Sequence, residues 1–105
     1  MNNKKTIKAI NFIETGFSRE DADALYPYIE LIIATGDSVT VDFDEVRFFT
    51  HTFFSQTLTR FIGTLGEEEY RRRIQVDNLT ESGASLYDTA LEYAIEFYSN
   101  RKEDV

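Results

Sequence analysis

Thr50 and Thr52 flank the only histidine of the chain, His51, a few residues after Asp42, Asp44 and Glu45. Ser55 and Thr57 follow. Threonine hydroxyls at a loop-to-helix junction can do two things. A side-chain oxygen can cap the helix, a role open here to Thr52 or Thr50. It can also accept a phosphate, which a helix start favours through its dipole and free amides. Such a phosphate would add nearly two negative charges beside the three acids and could repel an acidic partner. The acids themselves suggest either a magnesium site at a strand end or loop caps and solvated charges. Asp42 is the most interesting of them, because it faces opposite to Val41 at the end of a strand that should be central.

An enzyme is a poor fit to these residues. A Ser–His–Asp arrangement would have to use His51, and no nucleophile elbow is present. An active pocket would need Asp42, His51 and Asp77 to converge from strand ends and loops. No paired-histidine spacing points to a metal, and neither a G-x-G-x-x-G nor a P-loop pattern points to a nucleotide. The chain has no cysteine, which excludes disulfides and thiolate sites. No cofactor is expected.

The elements that must position these residues follow from the pattern. Thr6–Ile13 is rich in β-branched and aromatic residues and reads as a first strand. Ser18 and Asp21 fit a capping box, and Ala22, Leu25, Ile29, Ile32 and Ile33 continue at helical spacing. Pro27 inside that helix should kink or split it. Gly36 should end it. Ser38–Phe43 is a second strand, with Val39, Val41 and Phe43 on one side and Thr40 and Asp42 on the other. Phe53, Phe54, Leu58, Phe61, Ile62 and Leu65 make the apolar face of the next helix, which Gly66 stops. Glu67–Arg71, Glu68–Arg72 and Glu69–Arg73 are spaced as i, i+4 pairs in a short helical extension. Ile74–Asn78 is a third strand. A last helix runs from about Glu81 to Ser99, lined by Leu86, Tyr87, Ala90, Leu91, Ala94, Ile95 and Tyr98. Asn100 is placed to cap its end, with residues 101–105 as a frayed tail.

The order β-α-β-α-β-α implies an α/β fold with a small, mostly parallel sheet of three to four strands. A further short strand is expected within Glu14–Phe17 or Arg47–Phe49. At 105 residues, 42% hydrophobic, with nine Phe and six Tyr, the chain suits a single domain spanning 1–105. No stretch approaches the ~20 apolar residues of a membrane span, and no signal peptide is seen, so a cytoplasmic location is expected. A net charge of −8 argues against nucleic acid as a partner.

The segment Val41-Asp-Phe-Asp-Glu-Val46, then Phe49-Thr-His-Thr-Phe53 and the helix to Leu65, resembles the STAS-like family DUF4325, a relative of the anti-sigma-factor antagonist STAS domains. The Ile74-Gln-Val-Asp-Asn78 strand and the helix after it continue the resemblance. STAS antagonists carry an Asp-Ser-Ser-Gly junction whose second Ser is phosphorylated. By this resemblance that Ser falls on Thr52 and the Asp on Thr50, while His51 and Phe53 replace the other Ser and the Gly. The resemblance implies a regulatory module without catalysis, binding a protein partner of the histidine-kinase-like ATPase kind. Its contacts would come from Asp42, Asp44, Phe48, Phe49, His51 and Phe53. The run Phe48-Phe49 with Phe53-Phe54 holds more rings than one helix face can bury, so the run is either core or, in part, an exposed aromatic anchor. The charge supports a different reading, a small acidic inhibitor of phage or mobile-element type that occupies the basic site of a nucleic-acid-binding enzyme. Either reading admits a homodimer, through an open sheet face or the aromatic patch.

Overall fold

A computed structural model describes residues 3–103, with side chains described through residue 99. Three strands, β1 (Lys4–Lys8), β2 (Ser38–Asp42) and β3 (Ile74–Asp77), form one sheet in the order β1-β2-β3. Both pairings are parallel, with Ile7 beside Val41 and Val41 beside Val76. The helices are α1 (Arg19–Ala34), α2 (His51–Thr57), α3 (Ile62–Leu65), α4 (Glu67–Arg73) and α5 (Glu81–Glu103). The fold is thus α/β with a small open parallel sheet, as the alternating pattern predicts.

The alternation along β2 decides which face is covered. Val39, Val41 and Phe43 are buried and join Leu25, Ile29, Phe53, Phe54, Leu58 and Ala90 in one core. In the parallel register Thr6, Thr40 and Gln75 share the opposite face, as do Lys8, Asp42 and Asp77. Those residues are half-buried or exposed. Strand β2 is central, and its carboxyl end carries Asp42 toward the loops that form the candidate site.

The first strand differs from the sequence reading. It ends at Lys8, and Ala9–Asn11 turns into a 3-10 helix. Ala9 and Ile13 are buried while Ile10 and Phe12 pack against the core from the side, so their apolar character reflects a turn folded over the sheet edge. The α1 start matches expectation: Ser18 Oγ accepts from the Asp21 N–H and Asp21 accepts from the Ser18 N–H, both at 3.1 Å. Pro27 neither splits nor ends α1. It lies on the exposed side, as does Asp23 one turn earlier, so the carbonyl that loses its donor is open to water. Gly36 closes α1 with φ +88°, donating to Ile33 while Asp37 donates to Ile32, the paired bonds of a Schellman ending.

The charged helix α4 forms one of the three expected ion pairs, Glu67–Arg71. Arg72 turns instead to Glu69, at i, i+3. Arg73 is buried, and its Nη2 donates to the carbonyls of Ile33 (2.7 Å) and Asp37 (2.8 Å). A guanidinium that ties the end of α1 to the start of β3 is tertiary structure, invisible to helix spacing. Helix α5 runs through Asn100 to Glu103, so Asn100 does not end it; residues 104 and 105 of the expected tail lie outside the described residues.

Candidate functional site

The site is the junction where the loops before α1 and α2 meet. Gly16 forms an isolated parallel bridge with Phe49. The Gly16 N–H donates to the Phe48 carbonyl at 2.7 Å, and the Thr50 N–H donates to the Gly16 carbonyl at 2.9 Å. This is the further strand-like pairing, and it joins the two segments named for it.

The bridge also sorts the aromatics. Adjacent residues on extended backbone point to opposite sides. Phe49 turns inward and is 6% exposed, whereas Phe48 turns outward and is 59% exposed. Phe49 contacts Phe43, Phe53 and Phe54 as ring pairs. Its ring lies between Gly16 and Gly83: a Cβ at either glycine would come within 2.7 Å of it. Phe53 is buried as well. Phe49 and Phe53 are therefore core residues, and the expectation that they offer surface contacts is corrected. The exposed aromatic near Phe48 is Phe17, 53% exposed, with ring centroids 6.0 Å apart. Phe17 was missed because it follows Gly16 in what reads as a loop; no local spacing signals a partner more than 30 residues away.

Thr50, and not Thr52, caps α2. Its Oγ1 accepts from the Phe53 N–H at 3.2 Å and donates to the Phe17 carbonyl at 3.1 Å. Thr50 thus fastens the exposed aromatic pair from below. Thr52 sits in the first turn of α2, exposed, and no hydrogen bond to its hydroxyl occurs among the described residues. Half-buried His51 faces away from the acids: its ring lies edge-on to Tyr93, and its Nδ1 is 3.4 Å from Ser55 Oγ. Asp42, His51 and Asp77 therefore do not converge.

Asp42 Oδ1 accepts from the Asn78 amide and from the Asp44 N–H, both at 2.9 Å. The Asn78 bond, then the Asp44 bond, outweigh desolvation and hold the Asp42 carboxyl below its usual range; Lys8 adds to this. Asp42 thus acts as a clasp between the loops after β2 and β3. Both loops need positive φ, at Glu45 (72°) and Asn78 (60°). Beyond the clasp lies a depression of about 500 Å³, lined by Asp44, Glu45, Arg47, Phe48, Leu79 and Thr80 among others. Among the described residues no group of three or more His, Asp or Glu is arranged to hold a metal ion. No described helix is long and apolar enough to cross a membrane.

A small open parallel sheet of three strands with helices packed on it is consistent with a STAS-like α/β domain. The profile of DUF4325, a STAS-like domain of unknown function, matches residues 21–84, and the chain belongs to that family. No curated protein and no solved structure matches it.

Proposed function

We propose that this domain is a non-catalytic regulatory module that binds a protein partner at the carboxyl end of its sheet. The exposed Phe17–Phe48 pair carries the reading. Two rings lie exposed above a hydrogen-bonded junction, and aromatics of this kind concentrate binding energy. Asp44 flanks them, and Asp42 fixes the loop behind. Thr52 supplies the control point. Thr52 is exposed in the first turn of α2, just after Phe48 and Phe49, so the bulk of a phosphate there would hinder a partner docking on the aromatic pair. Thr50 suits this less well, because its hydroxyl already bonds Phe17 and Phe53. By analogy with STAS antagonists, a histidine-kinase-like ATPase is the partner class to look for.

The acidic-inhibitor reading needs its acids gathered on one face. Exposed acids lie on α1, α4, α5 and the strand-end loops alike, which counts against it.

Capture from the native host with the wild type, Phe48→Ala and Thr52→Glu, followed by mass spectrometry of bait and prey, tests the proposal. A protein held by the wild type and lost from both variants, with phosphate on Thr52 in part of the bait, is the expected result. Equal recovery by all three would overturn it.

A further inference from the structure

The depression beside Phe48 does not end there. A second one, lined by Thr80, Glu81, Ser82 and Ser85, shares Thr80 and Ser82 with it. The two adjoin between the loop after β2 and the start of α5 and are taken together as one open groove. Its charge is one-sided: Asp44, Glu45 and Glu81 border it as exposed acids, and Arg47 is the one base among its lining residues. Phe48 and half-buried Leu79 supply apolar surface at one end.

We infer that this groove takes an extended partner segment bearing lysine or arginine, with an apolar side chain seated against Phe48. The inference rests on the docking reading above and adds the chemistry of the occupant. Complementary charge sets which segment is accepted and how fast it arrives, and the aromatic contact holds it.

Short fluorescein-labelled peptides of alternating lysine and leucine, or glutamine and leucine, titrated against the full chain by fluorescence anisotropy, test it. The lysine peptide binds, and its affinity falls with added salt. The triple variant Asp44→Asn, Glu45→Gln, Glu81→Gln weakens it about tenfold, as removal of three modest exposed charge pairs should. The matched triple Asp88→Asn, Glu92→Gln, Glu96→Gln on α5 leaves it unchanged. Phe48→Ala weakens it about fivefold or more. Equal binding of the glutamine peptide, or equal loss in both triples, overturns the inference. Binding that ignores the groove acids yet is lost in Phe48→Ala rejects the basic occupant and leaves the docking site standing. Binding that ignores Phe48→Ala as well rejects both.

Discussion

Phe48 and Phe49 are neighbours with the same side chain and opposite fates. Phe49 is locked between two glycines and three other phenylalanines, while Phe48 touches Phe17 and water. The difference arises from two backbone hydrogen bonds to Gly16, which fix the segment as extended and so assign one ring to each side. Ring content alone therefore says nothing about role; the local backbone decides it.

That contrast can be broken from the inside first. Phe49→Ala should cost about 3–5 kcal/mol, read as a drop in the urea midpoint, because it empties a slot lined on several sides. Gly16→Ala comes next. Its methyl would meet Phe49 Cδ1 at 2.7 Å and Phe53 Cδ2 at 3.0 Å, both on buried rings, so overpacking of about 1–3 kcal/mol is expected in the same assay. Thr50→Ala removes a cap and the tie to Phe17; a loss of about 1 kcal/mol in thermal unfolding is expected, along with looser Phe17 resonances in NMR.

Asp21 gives a pH handle on the other loop. Partial burial raises its pKa, but bonds from the Ser18 and Phe17 N–H groups and the Thr15 and Ser18 hydroxyls outweigh this and leave it lowered from 3.8. A depressed folded value means the stabilisation is present above the unfolded value and fades as pH falls through the folded one. Wild type should therefore lose stability below about pH 4 more steeply than Asp21→Asn, as acid titration by circular dichroism would record. The smallest effect is the outer ring: Phe48→Ala should change stability by no more than about 0.5 kcal/mol. A large loss of stability there would erase the proposed division between the two residues.

Much of this was legible where the cause is local. Ser18 and Asp21 lie three residues apart and bond each other, so the start of α1 can be read directly. The alternation of Val39, Val41 and Phe43 gives β2 its covered face. The reading fails where a distant contact decides. Ile10 to Ile13 look like strand until the chain curls over the sheet edge. Arg73 has the spacing of an ion pair but finds the carbonyls of Ile33, in α1, and Asp37, in the loop after it, instead. The sequence offers Thr52 first and Thr50 second as the cap of α2, and the structure selects Thr50, whose backbone the bridge to Gly16 holds extended. Of the expected contact residues, Phe48, Asp42 and Asp44 lie at the junction, while Phe49 and Phe53 belong to the core and His51 faces Tyr93.

The Gly16–Phe49 bridge has a kinetic signature. The amide hydrogens of Gly16 and Thr50 sit in loops, where exchange with solvent deuterium is ordinarily fast. Each is held by a carbonyl of the opposite loop, so each exchanges only when the two segments part. Those two amides should be slowed by a similar factor relative to their unprotected rates, and that shared factor reports the free energy of opening the junction itself.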